Sequence, residues 1–327
     1  MTAFVTGGSG FVGGAVIRAL IAGGRPVRAL ARSSTAGAAV ADLGAEAVRG
    51  DLHDRHELAD AMRGTDLLFH VAGVNRMCPR DPTDLYATNV DGAVTAVEAA
   101  ADAGVARVVL TSSSATIGEP AGRVGREDTP HRGSFLSHYE RSKFLGERAA
   151  RAAANDRGVD LVVVNPSSVQ GPGRTTGSAR ILLHAARART TALVDAAFSI
   201  VDVDDCATGH LLAATAGRPG ERYLLSGTST TMRTAIAVLR ARTGHPRRVV
   251  WLPPALVRAA GPFTRIASRG DDAGVCPALL RTLLHGHRYD GTRATRDLGL
   301  VYRPLEETLE RVLRWYETRG ILPEAAT

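Results

Sequence analysis

The 327-residue sequence predicts an α/β protein: a doubly wound parallel sheet with a smaller, mostly helical C-terminal unit. Three observations predict it. Short β-branched runs alternate with longer alanine-rich stretches through the first two-thirds of the chain, the rhythm of right-handed βαβ units. Val108-Val109-Leu110 and Leu161-Val162-Val163-Val164 are continuously apolar, as strands covered on both faces should be. A glycine cluster, Gly7 to Gly13, stands where the first run gives way to the first helix.

The elements follow in order. Strands are expected at Ala3–Thr6, Val27–Ala31, Ala47–Arg49, Leu67–Val71, Arg107–Thr111 and Leu161–Asn165, with helices starting near Phe11, Thr35, Arg55, Pro82 and Tyr139. Gly171-Pro172-Gly173 then breaks the rhythm. A helix is expected over Ala179–Arg189, a strand at Phe198–Asp202, a helix at Ala207–Ala216 and a strand at Tyr223–Leu225; from Thr230 the chain reads as mostly helical. This divides it into residues 1–170 plus 198–227, the main sheet domain, and 171–197 plus 228–327, a substrate-binding domain.

The 44% apolar and 22% charged content is that of an ordinary globular protein. The net charge of +7 is scattered, and aromatics make up only 5%. With no basic run and little to stack on bases, nucleic-acid binding is not expected. Cys78, Cys206 and Cys276 are odd in number and far apart, so no disulfide framework is expected and a reducing cytoplasm is. The chain enters a strand at once, without a charged leader or apolar signal region, and has no run of ~18 apolar residues. Leu252–Ile266 carries apolar residues at helical spacing (Leu252, Leu256, Ala259, Phe263, Ile266) with Arg258, Arg265 and Arg269 nearby. It reads as a lid over a substrate rather than a membrane contact.

Gly7, Gly10 and Gly13 form G-x-x-G-x-x-G around Phe11 and Val12, between a strand and a helix. Such a loop lets backbone approach a dinucleotide's pyrophosphate at the helix N-terminus. The second strand is followed by Arg32 and Ser33, and no carboxylate stands between Arg28 and Ala41 to take a ribose 2′-hydroxyl. Arg32, helped by Ser33 or Arg28, suits a 2′-phosphate, which favours NADP(H) over NAD(H). Asp51, followed by Leu52, is placed either for the adenine amino group or as a helix cap.

The chain has 40 basic residues, and Lys143 is its only lysine. It lies four residues after Tyr139, one helical turn away on the same face. A compact ammonium there can hold a ribose and lower the pKa of the phenol.

In this order, the glycine loop, Asp51, His70-Val71-Ala72-Gly73, Thr111-Ser112-Ser113-Ser114 and Tyr139-x-x-x-Lys143 resemble the extended short-chain dehydrogenase/reductases. The resemblance runs on through Asn165-Pro166-Ser167-Ser168, Gly171-Pro172, Val201–Asp205 and Tyr302-Arg303-Pro304 with its closing helix. It is strongest to the dihydroflavonol-reductase-like and 3β-hydroxysteroid-dehydrogenase-like branch, and the chain is also similar to hopanoid-associated sugar epimerases. It implies a Rossmann cofactor domain, with catalysis by Ser113, Tyr139 and Lys143; counting back from Tyr139 or Gly118 leaves Ser114 open. It implies cofactor contacts at Ala72, Gly73, Asn165, Pro166 and Ser168, substrate contacts at Asn75, Ser114 and Val169, and Asn89 near the site. A homodimer through the helices after the fourth and fifth strands is implied as well.

The expected activity is NADPH-dependent reduction of a ketone or aldehyde on a small to medium organic substrate, or the reverse. The alternatives are a nucleotide-sugar epimerase or dehydratase and a non-catalytic dinucleotide sensor. Against the first, Asn165–Gln170 lacks an Arg-Tyr-Phe-Asn-type run; against the second, Tyr139 and Lys143 are both present. No metal is expected: Asp202, Asp204 and Asp205 alternate across two faces of a strand, and His285 and His287 have no third ligand in reach of the sequence.

Overall fold

The computed structural model describes residues 2–243, 248–260 and 275–322. β1 (Ala3–Thr6) turns into α1 (Phe11–Ala22), and the alternation continues through β2 (Val27–Ala31), α2 (Ser34–Ala41), β3 (Glu46–Arg49), α3 (Arg55–Met62) and β4 (Leu67–His70). Next come α4 (Thr83–Tyr86), a π-helical turn (Ala87–Asp91), α5 (Gly92–Asp102), β5 (Arg107–Thr111), a 3-10 turn (Ser114–Ile117), β6 (Val124–Gly125) and the long α6 (His138–Arg157). β7 (Asp160–Pro166), β8 (Ser168–Gln170), α7 (Ala179–Arg187), β9 (Thr190–Leu193), β10 (Ala197–Asp202), α8 (Val203–Ala216) and β11 (Arg222–Leu225) follow. The chain closes with β12 (Thr228–Thr231), α9 (Met232–Thr243), β13 (Arg248–Trp251), α10 (Pro254–Ala260), α11 (Pro277–His285), β14 (Arg288–Tyr289), α12 (Thr292–Leu298) and α13 (Leu305–Thr318).

The main sheet is parallel, in the order β11-β7-β5-β4-β1-β2-β3. Successive residues of its central strands point into opposite helical layers, which explains the unbroken apolar runs. Val5, Val109, Val162 and Val164 pack with α1 and α8. Phe4, Val108, Leu161 and Val163 pack with α3, α5 and α6. The strand order reverses between β1 and β4, and the crevice over such a switch point is where ligands bind in open α/β sheets. A third core holds α7, α9 and α13 together through Leu182, Ile236, Leu309 and Tyr316.

Three expectations are corrected. Cys78 and Cys276 form a disulfide across 198 residues. Only the fold brings them together, so spacing gave no sign of it, and the inference to a reducing compartment loses its footing. β10 joins a separate sheet in the order β12-β10-β8, and it is β11 that returns to the main one. Asp202, Asp204 and Asp205 do not alternate along a strand: Asp202 caps α8 and the other two lie in its first turn. Arg303 and Arg311 neutralise them, with Arg311 Nη1 2.8 Å from both oxygens of Asp202. The C-terminal part also carries strands β13 and β14 among its helices.

Of the lid segment, Phe263, Arg265, Ile266 and Arg269 lie outside the described residues; Val257 is buried and Leu256 exposed. Among the described residues no helix is long and apolar enough to cross a membrane.

Candidate active site

The cofactor cradle is built where β1 ends. Gly7 has φ +71°, and a Cβ there would lie 2.6 Å from the Ala72 amide; one at Gly13 would lie 2.1 Å from the Gly7 carbonyl oxygen. Only glycine allows these approaches, so the turn closes tightly against the end of β4. Gly10 precedes α1 without a side-chain cap, leaving the helix's first amides for an anion. Phe11 and Val12 lean on the core from the first turn. The Ala72 amide donates to Thr6 Oγ1 at 3.3 Å, and Gly73 is exposed beside it. These features fit a dinucleotide diphosphate.

Arg32 and Ser33 sit exposed at the rim, Ser33 capping α2 through the Ala36 amide at 3.2 Å. Arg28 is drawn away to Glu46 and the Arg63 carbonyl. Asp51 accepts from the His53 amide at 3.0 Å and does not cap α3, which Asp54 does. Leu52 packs onto Gly92 of α5.

The acid–base group meets at the ends of β5 and α6. Ser137 caps α6 through the Glu140 amide at 3.1 Å, which fixes Tyr139 in the first turn. The half-buried Tyr139 phenol lies beside the Ser113 side chain. Burial raises its pKa, against the Ser113 side chain and the Arg174 charge, which lower it. The cation opposing the phenol here is therefore Arg174, a residue with no separate signal in the sequence. Its guanidinium lies 5.5 Å from the Phe11 ring and donates to the Val169 carbonyl. Ser114 is buried at the start of the 3-10 turn that follows β5.

Lys143 is buried at 9% exposure, and its Nζ donates to the Thr111 carbonyl at 2.8 Å. A Cβ on Gly73 would lie 3.6 Å from that Nζ, so the ammonium faces the cradle. Burial lowers its pKa to about 8, with Glu147 pulling the other way. Glu147 accepts from Ser112 (2.6 Å), Thr116 (2.9 Å) and Asn165 (2.8 Å). Burial pushes this carboxyl up, but Arg222, Ser112, Arg151 and Asn165 outweigh it and hold the pKa below its ordinary value. Asn89 donates to Ser142 and the Val74 carbonyl and accepts from the Val74 amide, tying the loop after β4 to α6.

Some expected contacts fall elsewhere. The Asn165 side chain is fully buried and serves Glu147, Thr116 and the Ser113 carbonyl rather than the crevice. Val169 packs into the core, and Pro166 is buried in β7. Ser168 is half-buried and bonds Ser178 and Gln170. Asn75 is exposed on the loop after β4. That loop carries Met77, whose carbonyl and sulfur meet Cys276 and Thr282 of α11. Thus α11 roofs the loop beside the site.

Residues 3–226 match the NAD dependent epimerase/dehydratase family. The sterol demethylase protein B of Methylococcus capsulatus is 34% identical, over 98% of this chain and 100% of its own. The 4-hydroxy-2-methyl-3-oxo-4-farnesyl-3,4-dihydroquinoline-1-oxide ketoreductase of Stigmatella aurantiaca is 34% identical, over 80% of this chain and 78% of its own. The solved structure of gox2253 superposes with a TM-score of 0.87 at 30% identity, covering 98% of this chain and 99% of that one. Glycine cradle, Ser-Tyr-Lys cluster and relatives agree, and the chain belongs to the NAD dependent epimerase/dehydratase family, as an enzyme of the extended short-chain dehydrogenase/reductase type.

Proposed function

We propose that the protein is an NADPH-dependent reductase of a ketone or aldehyde on a small to medium organic molecule, acting through Ser113, Tyr139 and Lys143. The observation that carries this is the half-buried Tyr139 phenol beside Ser113, with the chain's only lysine buried one helical turn away and its Nζ toward the glycine cradle. The glycine turn and the open N-terminus of α1 would hold the diphosphate, and Arg32 with Ser33 the 2′-phosphate. A nicotinamide bound there supplies the hydride. Ser113 holds the carbonyl oxygen of the substrate, and Tyr139 donates its proton to that oxygen. Lys143 grips the ribose and, with Arg174, favours the phenolate left behind. The Stigmatella relative, a ketoreductase by name, supports reduction as the direction. Residues 171–197 and 228–327 form the substrate side in this reading.

The test is NADPH and NADH consumption with a panel of ketones and aldehydes, beside UDP- and dTDP-sugars. Net oxidation of NADPH with a carbonyl compound is expected, with Arg32→Ala weakening NADPH and sparing NADH. Interconversion of a nucleotide sugar without net loss of NADPH would overturn the reading.

A further inference from the structure

The imidazoles of His285 and His287 have no third ligand near them in sequence, yet the fold supplies one. Glu119, 166 and 168 residues away from them, lies beneath the junction of α11 and β14. Its side chain is fully buried. Oε1 is 2.7 Å from His287 Nδ1 and 3.9 Å from His285 Nε2. Among the described residues Oε2 has no hydrogen-bond partner. The nearby Arg132 does not neutralise this carboxylate: it donates to the Glu119 main-chain carbonyl at 3.4 Å and pairs with Glu140. A buried anion with one oxygen unserved is costly unless a cation joins it.

We propose that Glu119, His285 and His287 bind a divalent transition-metal ion of the zinc class, which fastens the substrate-side helix α11 to the loop after β5. One atom from each residue lies within 4.8 Å of the others. Ligands about 2.0–2.2 Å from a tetrahedral zinc stand about 3.4 Å apart, so the three atoms need only small shifts to close on an ion. Two imidazole nitrogens and one carboxylate oxygen are a donor set that suits zinc. The fourth position falls to water or to the Tyr289 hydroxyl, 3.0 Å from His287 Nδ1. The placement has a mechanical sense. The disulfide holds α11 at its N-terminal end, where Cys276 is the cap. The ion would hold the other end, where Gly286 turns the chain into β14. Without an ion, His285 Nε2 donates to the Glu119 main-chain carbonyl at 3.1 Å, a bond that coordination would replace.

The test uses the untagged full-length protein with its disulfide intact. It is equilibrated with zinc chloride, passed through gel filtration and analysed for metal; a second sample takes cobalt(II) for visible spectroscopy. One zinc per chain, a four-coordinate cobalt spectrum and a higher melting temperature with zinc are expected. His285→Ala/His287→Ala should weaken zinc by more than about 100-fold, beyond what loss of an outer partner costs. Glu119→Gln should lose the ion while keeping a hydrogen bond to His287. The proposal is overturned if the wild-type protein retains no zinc and shows no shift in melting temperature, or if the double variant binds zinc as the wild type does.

Discussion

Lys143 shows how far one residue can be read before any fold is known. Its isolation in an arginine-rich chain and its spacing from Tyr139 pointed to a task, and the structure buries it with Nζ toward the cradle. Lys143→Arg should fold normally and lose roughly 100-fold or more in kcat, the scale of a lost acid–base contribution; circular dichroism with steady-state kinetics checks both halves. Arginine's planar fork does not reproduce a point charge bonded to the Thr111 carbonyl. With a pKa lowered to about 8, Lys143 sheds its charge as pH rises through that value. In wild type kcat/KM should therefore fall on the alkaline side, measured across buffers from pH 6 to 10. Arg174 and Glu119 were illegible because their meaning lies in neighbours distant in sequence. The inward turn of the Asn165 side chain toward Glu147 was illegible for the same reason.

Among the elements, the sheet strands were legible nearly to the residue, since a doubly buried strand must be apolar on both faces. The start of α8 was not, because nothing in the sequence shows that Asp202, the last residue of β10, accepts from the Asp204 amide at 2.8 Å and so starts the helix at once. Packing between elements was also hidden. Gly146 of α6 lets that helix ride against the π-helical turn, where a Cβ would fall 1.8 Å from the Asn89 carbonyl oxygen. Gly146→Ala should force the two apart at a cost of about 1–3 kcal/mol. It should also shift the Asn89 tie that positions the loop after β4. Urea denaturation and the KM for the carbonyl substrate would register the two effects; an unchanged midpoint would contradict the packing argument.

For the whole molecule, two core histidines set a limit in acid. Burial, with Lys143 adding, lowers His70 to about 3; burial, against a hydrogen bond to Cys206, lowers His210 to about 4. Both fold as neutral rings, His70 on Thr6 and His210 on Thr111. The unfolded chain takes up these protons near pH 6.5, so the stability they allow is full above that value and is lost as pH falls toward the folded values. At pH 5 each should cost roughly 2 kcal/mol relative to pH 7. Thermal unfolding followed from pH 8 to 4.5 should show Tm falling below about pH 6.5, less steeply in His70→Asn. The parallel sheet was legible at this scale; the cross-link from Cys78 to Cys276 was not.

That cross-link makes the protein sensitive to the electron supply of its surroundings. A reductant strong enough to open it would free α11 from the loop that carries Met77. The reduced and oxidised forms should then differ in KM and in melting temperature, with Cys78→Ser matching the reduced form whether or not a thiol is present. Turnover figures for this chain thus need the reductant stated beside the pH.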